Sequence, residues 1–419
     1  MPNISQRVAQ AYSSPIRKLT PFADQAKANG KTVFHLNIGQ PDLETPSVAF
    51  EKIRQTNIQV LKYGPSKGVL SYRQKLVQYY ERFNIQVTAE DILVTTGASE
   101  AILFLALSCM DKGDEVIIPE PFYANYIGFA EIADVHIKPV TSTIENNFEL
   151  PSAEDFEKLI TPKTKAILIC NPNNPTGCLY SKEALEALGR VVKKHNLFLF
   201  VDEVYREFCY DGLAFFSVLN LAGLEKNVAV VDSISKRYSA CGARIGAIIS
   251  RNQDLVNAIT KLGQFRLCAP VLGQMIAEAI LENDGNYLAE AQRAYARRRA
   301  LLYDRLRKME GVTCYQPGGA FYIFAKLPID DGDRFCQWLL ENFSHNNQTL
   351  MLSPGAGFYA TEGLGKQEVR IAYVLNVDDL NKAMDCLELA LKEYQCLRRD
   401  FREEKGKMQE EGGGNRNSI

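Results

Sequence analysis

From about residue 90 the chain alternates short runs of β-branched and aromatic residues with stretches of helical periodicity, and this alternation constrains the fold more than any other feature. Strand, helix, strand units of this kind wind around a mainly parallel sheet, because a parallel pair needs a crossover long enough to hold a helix. The predicted strands are Ile92–Thr96, Glu115–Pro119, Val135–Val140, Ala166–Cys170, Leu197–Asp202, Val228–Ser233 and Arg244–Ile249. Several are continuous Val, Ile, Leu or Phe, the composition of strands covered on both faces. Helices are predicted over Ser99–Met110, Ala153–Leu159, Ser181–His195, Asn252–Gln264 and Pro270–Glu282. The expected fold class is α/β.

After these the pattern changes. A polar, Arg-rich helical stretch, Tyr287–Met309, reads as a bridge between two domains. Beyond it fewer strands (Thr313–Gln316, Phe321–Lys326, Val369–Val374) and two amphipathic helices (Asp333–Phe343, Asp378–Leu397) suggest a smaller α+β unit. Residues 400–419, polar and Gly-rich, are expected to form a disordered tail.

Composition narrows the partners. Lys and Arg total 48 against 50 Asp and Glu, a net charge of −2, so no global positive field draws nucleic acid or an anionic membrane. The longest apolar run, Ala101–Met110, is shorter than the ~18 residues of a membrane span. The first twenty residues hold no hydrophobic signal region, so a cytoplasmic location is expected. The ten cysteines are scattered without a CxxC pair, which suits small core residues in a reducing compartment and gives no metal site. Small molecules and copies of the same chain remain as expected partners.

The segment SISKRYSACGARIGAI, Ser233–Ile248, leads from one β run to the next and sets one lysine among hydroxyls, glycines and an arginine. Most lysines are solvated surface charges. Lys236 differs because an apolar strand delivers it to the interior, where desolvation and a cation such as Arg244 lower the pKa of its amine. That frees it to act as nucleophile or base. SxSK, with an arginine eight residues after the lysine inside GxRxG, resembles the Schiff-base segment of the pyridoxal-phosphate enzymes of the class I and II aminotransferase family.

The resemblance runs through seven motifs in family order, from about Ser14 to Leu397. In FLFVDEVYREF, Asp202 ends a buried strand; an isolated Asp there often caps a helix. The family uses it to keep the cofactor's pyridinium nitrogen protonated, and Tyr205 to bond the ring hydroxyl. NPNNPTG, Asn171–Gly177, is by itself a turn-rich loop; the resemblance gives Asn174 a bond to the ring hydroxyl and a share in holding the substrate carboxylate. TTGASEAI, Thr95–Ile102, is a strand end, a glycine and a helix start, a geometry that offers free N–H groups and a positive dipole end to a phosphate. By resemblance Gly97, Ala98 and Ser99 cradle the cofactor phosphate with Ser233 and Arg244. Tyr63, in KYGPSKG, would reach that phosphate across a subunit interface, which implies a homodimer. Tyr123, in PEPFYANY, corresponds to the aromatic that stacks on the ring. Arg370, in QEVRIAY, corresponds to the arginine that holds the α-carboxylate through paired hydrogen bonds. Gly39, in LNIGQPDLETP, lies on a loop that approaches the same carboxylate.

The implied architecture is fold type I. A large cofactor-binding domain, residues 47–290, carries a mostly parallel seven-stranded sheet, and a smaller α/β domain is built from both chain ends, residues 1–46 and 291–399. The implied activity is a ping-pong transfer of an α-amino group between an amino acid, aspartate or a broader range, and 2-oxoglutarate, with pyridoxal 5′-phosphate on Lys236. Aromatic or alanine aminotransfer and a C–S β-lyase reaction are alternatives on the same scaffold. A non-catalytic regulator would need a DNA-binding module, for which the N-terminal segment is too short. One aspartate-specific subgroup places a lysine after the two glycines of its phosphate loop; Ser99 stands there instead. In SSPIRKL, Ser13–Leu19, Arg17 or Lys18 are candidates to read the far end of the substrate, against the simpler reading of two solvated charges.

Overall fold

Apolar alternation from residue 90 onward does produce one sheet. The computed structural model describes the backbone of residues 2–9 and 17–413, with their side chains as far as Leu397, those of Arg7 and Val8 excepted. In chain order the strands among the described residues are β1 (Thr32–His35), β2 (Ile92–Thr95), β3 (Glu115–Glu120), β4 (His136–Thr141), β5 (Thr164–Cys170), β6 (Phe198–Asp202), β7 (Val228–Ser233), β8 (Gly246–Ile249), β9 (Thr313–Cys314), β10 (Tyr322–Lys326), β11 (Gln348–Met351), β12 (Ser353–Pro354) and β13 (Glu368–Ala372). The seven runs expected between residues 92 and 249 are β2 to β8, and they form a seven-stranded sheet in the order β2-β8-β7-β6-β5-β3-β4. All neighbours are parallel except those of β8, which is antiparallel to both β2 and β7.

One local expectation is corrected here. Strand β8 starts at Gly246 rather than Arg244, because Arg244 has a φ of 55° and turns the chain back after the short Cys241–Ala243 helical turn. Lys236 rides a one-turn helix, Ile234–Arg237, whose first turn is capped by Ser233 Oγ accepting from Ser235 N at 3.1 Å.

Helices cover both faces of the sheet. The helix Lys182–His195 shows why its sequence folds so: Leu185, Leu188, Val191 and Val192 fall on one face and are buried. Ser181 caps its start, accepting from Ala184 N at 3.1 Å, and Lys193, Lys194 and His195 crowd the negative end of its dipole. Each leucine buried this way contributes about 1.5–3 kcal/mol. The helices Thr20–Ala28, Ser47–Arg54, Leu70–Glu81 and Asn125–Ala133 were not predicted. Leu70–Glu81 escapes hydropathy patterning because its inward face is largely tyrosine, with Tyr72, Tyr79 and Tyr80 all buried.

The smaller domain holds an antiparallel sheet, β12-β13-β10-β9, and the parallel pair β1-β11. That pair joins the two chain ends, and Leu19, Ala23, Val33 and Leu36 from one end share an apolar cluster with Phe335, Leu339, Leu380 and Leu387 from the other. The helix Tyr287–Leu306 looks polar in sequence, yet two of its arginines, Arg298 and Arg299, are buried. Arg298 binds Asp42 and the Val374 carbonyl, while Arg299 binds Asp211 and the Pro317 carbonyl, so this helix ties both chain ends to the larger domain.

The last helix, Val377–Gly413, runs on through residues 400–413, where a disordered tail was expected. Glu, Lys, Arg, Gln and Met are strong helix formers and sustain a helix without an apolar stripe; residues 414–419 lie outside the described chain. Among the described residues no helix is long and apolar enough to cross a membrane, and all ten cysteines are free thiols.

Candidate active site

The parallel strands β2, β3, β5, β6 and β7 end on one edge of the large sheet, and antiparallel β8 begins there. Register makes the meeting close: Cys170 lies opposite Asp202, Ser233 opposite Gly246, and Gly246 opposite Thr95. Crevices beyond the carboxyl ends of parallel strands are where open α/β sheets take ligands. A cavity of about 660 Å³ opens at this edge. The sheet edge lines it with Ala98, Ser99, Tyr123, Asn174, Asp202, Tyr205, Ser233, Lys236 and Arg244. The smaller domain and the N-terminal segment add Arg17, Gly39, Tyr322 and Arg370.

Lys236 is half-buried, and its Nζ donates to the Gly39 carbonyl at 2.7 Å across the two domains. Burial is the main cause that lowers its pKa; Cys241 and Asp202 oppose the shift, and the cations Arg370 and Arg244 add to it. Asp202 is 5% exposed, and its Oδ2 accepts from the Tyr126 hydroxyl at 3.0 Å. Desolvation pushes its carboxyl up to about 6 even with that bond and one from Val204 N. Tyr205 is buried, which holds its phenol far above the ordinary range and keeps it protonated. It pairs with the Tyr322 hydroxyl at 2.8 Å and receives Asn174 Nδ2 at 3.5 Å. Asn174 sits in a wholly buried loop that folds on its own side chains, Asn173 Oδ1 accepting from both Thr176 N and Thr176 Oγ1.

At the start of the helix Gly97–Cys109, Gly97 has a φ of 75°, and a Cβ there would stand 2.4 Å from an Arg244 guanidinium nitrogen. Glycine is therefore required twice over, by conformation and by space. Arg244 is exposed and reaches the Thr96 carbonyl at 3.4 Å.

Arg370 is 1% exposed in the middle of β13, although a strand arginine is ordinarily a solvated edge charge. Its Nη1 donates to Asn174 Oδ1 at 2.8 Å, and its Nη2 donates to the Asn37 carbonyl. The rings of Tyr322 and Phe358 lie 4.6 and 4.9 Å from the guanidinium carbon. Among the described residues its Nε has no partner.

Beneath the cavity the next residues along the chain form a second, ionic layer. Arg237 chelates Asp232 at 2.6 and 2.8 Å, Tyr80 donates to Asp232 at 2.9 Å, and Glu203 pairs with Arg206. On β7 strand alternation separates Asp232 from Ser233, since neighbours in a strand face opposite ways.

Of the residues nominated from sequence, Gly97, Tyr63 and Lys18 do not line the cavity. Gly97 lies directly against Arg244, and Tyr63 is 81% exposed on the outer surface. Of the two cationic candidates near the N-terminus, Lys18 pairs with Asp333 and Arg17 lines the cavity, while Ser13 to Ile16 lie outside the described residues. Sequence reasoning missed Tyr126, Tyr322, Asn125, Ser235 and Cys241. Tyr126 was legible as a second tyrosine three residues after Tyr123, one helical turn along the same motif. Tyr322 carried no signal beyond a strand aromatic.

The family model for class I and II aminotransferases matches residues 31–387. Aspartate aminotransferase of Thermotoga maritima is 32% identical over 391 residues, covering 92% of this chain and 98% of that protein. Aromatic-amino-acid aminotransferase 2 of Thermococcus litoralis is 30% identical over 404 residues, covering 94% of this chain and all of its own length. The solved alanine aminotransferase of Pyrococcus furiosus superposes with a TM-score of 0.84 at 29% identity, covering 93% of this chain and 100% of its own.

Proposed function

The chain belongs to the class I and II aminotransferases, and from that premise we propose that it uses pyridoxal 5′-phosphate on Lys236 to move an α-amino group between aspartate, or a broader range of amino acids, and 2-oxoglutarate. One observation carries the reading: a half-buried lysine amine, whose pKa burial lowers, lines a cavity whose walls also hold one carboxylate and three further cations on separate elements.

The residues fit the cofactor. Asp202 is a buried carboxylate with no cation bonded to it among the described residues, and its raised pKa expresses that lack. A protonated ring nitrogen supplies the missing charge. Ser233, Arg244 and the N–H groups after Gly97 offer a phosphate a cationic, donor-rich seat. Tyr123 offers a ring face, and Asn174 and Tyr205 offer donors to a phenolic oxygen.

When bound, the cofactor supplies the carbonyl carbon that receives the amino group and the electron sink that lets the Cα–H bond ionise. Arg370 binds the α-carboxylate and so fixes which bond at Cα faces Lys236. The Lys236 amine, whose pKa burial lowers, would take the Cα proton and pass one to the carbon that receives the amino group. Asp202 holds the ring nitrogen's proton in place. Gly39 brings its loop within reach of Lys236.

A homodimer belongs to the same reading. Tyr63, Val60, Leu61 and Phe265 are 81, 68, 56 and 83% exposed, an apolar surface of the kind that subunit contacts cover. A smaller domain built from residues 1–46 and 291–399 beside the larger 47–290 is supported by the β1-β11 pair that joins the two chain ends, and a cytoplasmic location by ten free thiols.

The test is a half-reaction screen. Protein loaded with pyridoxal 5′-phosphate is mixed with each of twenty amino acids, and loss of the aldehyde-form absorbance is followed together with release of the oxo acid. Lys236→Ala should show neither the imine band nor turnover; a retained band would remove Lys236 from its role. Pyruvate and ammonia formed from cystathionine without any oxo-acid acceptor would replace amino transfer with a lyase reaction.

A further inference from the structure

The lysine on which the reaction depends sits on a helix too short to hold itself. Ile234–Arg237 is a single turn, and fixing the backbone of so short a turn costs more than its own hydrogen bond gains. Tertiary contacts therefore set where Lys236 stands. At the start of the turn Ser233 does this: its Oγ accepts from Ser235 N at 3.1 Å and donates to the Ile245 carbonyl at 2.8 Å.

Arg237, at the other end, is 1% exposed and does not line the cavity, so its charge meets neither substrate nor cofactor. It reaches back along the chain instead. Nη2 donates to both carboxylate oxygens of Asp232 on β7, at 2.6 and 2.8 Å, and the guanidinium carbon lies 4.1 Å from the centre of the Tyr79 ring. Asp232 is fixed in turn by the Tyr80 hydroxyl at 2.9 Å and by Ser233 N at 2.7 Å. The pair thus closes a loop of chain that contains both Ser233 and Lys236, and anchors it to the helix Leu70–Glu81.

An ion pair this deeply buried is a poor source of stability, since the desolvation of two charges offsets much of their attraction. What it supplies is direction: a planar guanidinium held on a carboxylate, with one face on a ring, allows few positions of the backbone that carries it. We propose that Arg237 is a positioning residue: clamped on Asp232, it fixes the helical turn that carries Lys236 and so aims the amine into the cavity. This rests on the aminotransferase reading and deepens it, adding to the residues of the cavity a pair beneath it that acts on the reaction through the lysine.

The experiment uses the double variant Asp232→Asn/Arg237→Met. It removes both charges together and keeps an amide oxygen to accept from Ser233 N, whereas Arg237→Met alone strands the Asp232 carboxylate, which also acts electrostatically on Asp202. With cofactor loaded, kcat should fall about 10- to 100-fold for aspartate and alanine alike, the scale for a reacting group displaced by about 1 Å. KM should stay unchanged, because Arg370 still holds the α-carboxylate. Arg237→Lys, which keeps the charge without the planar fork, should show a smaller loss, and it carries the comparison should the double variant fail to fold. A second readout needs no cofactor. In cofactor-free protein, acylation of Lys236, followed by mass spectrometry of its peptide, should run at least about tenfold faster in the double variant as the amine leaves the Gly39 carbonyl. Wild-type kcat with wild-type acylation would overturn the clamp and leave the pair as packing. A fall in kcat with unchanged acylation would overturn it too, since the lysine would not have moved. Wild type that transfers no amino group would instead break the aminotransferase reading, and the acylation contrast would still decide the clamp.

Discussion

Two buried charges of opposite sign face the same cavity, and the protein handles them differently. Asp202, at the end of a strand in the large sheet, is 5% exposed and bonded to a tyrosine hydroxyl and a backbone N–H. Arg370, in the middle of a strand in the smaller sheet, is 1% exposed and bonded to an amide oxygen, a carbonyl and two ring faces. Neither has an ionic partner of its own within bonding distance among the described residues. A carboxylic acid can escape by binding a proton, and the pKa of Asp202 rises to about 6. A guanidinium cannot shed its proton, so Arg370 is surrounded by neutral acceptors and aromatic quadrupoles instead. The cofactor side of the cavity is therefore sensitive to pH, and the substrate side to packing.

The largest effect should come from Arg370. In Arg370→Leu, kcat/KM should fall about 10²- to 10³-fold, the range for losing one partner of a desolvated charge pair. The loss should be equal for aspartate and alanine, because both carry the α-carboxylate. Steady-state kinetics with the two amino acids decide it. A loss confined to aspartate would mean that Arg370 reads the distal group, and the contrast between the two ends of the substrate would reverse.

The two sides also differ in how far they could be read from sequence. The cofactor side is made of strand ends, so its residues arrive inside short contiguous strings: Asp202 with Tyr205, Lys236 with Arg244, Gly97 with Ser99. Each string combines an apolar run with a polar stop, and local chemistry alone suggested a role for Lys236 and for the helix start at Gly97. The substrate side is assembled by tertiary packing. Gly39, Tyr322 and Arg370 lie hundreds of residues apart or on an unrelated sheet, and nothing local distinguishes Arg370 from an edge arginine. Only its resemblance to a family position singled it out. Strands β1, β11 and β12, which close this side, have two to four residues each, too few to show a period. Arg298 and Arg299 show a related limit: hydropathy cannot tell a solvated guanidinium from one buried against carbonyls.

A smaller effect, on stability, tests the pH contrast. In cofactor-free protein the Asp202 carboxyl costs nothing below about pH 4, where it is protonated both folded and unfolded. As pH rises the unfolded carboxyl ionises first, so the fold loses stability until the folded group ionises near pH 6, after which the cost is constant. A shift from 3.8 to about 6 corresponds to about 2–3 kcal/mol. Cofactor-free Asp202→Asn should accordingly match wild type at pH 4.5 to within about 1 kcal/mol and exceed it by about 2–3 kcal/mol at pH 8, measured by urea unfolding. Equal stability at both pH values would mean that Asp202 is already compensated, and the contrast with Arg370 would fail. Arg370→Leu should show no such pH dependence over this range.

The smallest effect concerns whether the two sides communicate. The Tyr205 hydroxyl, on the sheet edge, and the Tyr322 hydroxyl, on β10 under Arg370, pair at 2.8 Å. Tyr205 also receives Asn174, which in turn holds Arg370, so a chain of hydrogen bonds, closed by the Tyr322 ring against the Arg370 guanidinium, links the sheet edge to the substrate arginine. Tyr322→Phe keeps the ring over Arg370 and removes only the hydroxyl. It should cost about 1 kcal/mol, a roughly fivefold loss in kcat/KM, and Tyr205→Phe should cost somewhat more because that hydroxyl also meets Asn174. In the double variant the two losses should overlap, with a coupling of about 0.5–1.5 kcal/mol. Strict additivity would mean that the charge-relieving environments of Asp202 and Arg370 act independently, and that the hydroxyl pair is packing alone. Coupling of the expected size would instead make Tyr322 a positioning residue, since its own hydroxyl would act on catalysis through Tyr205.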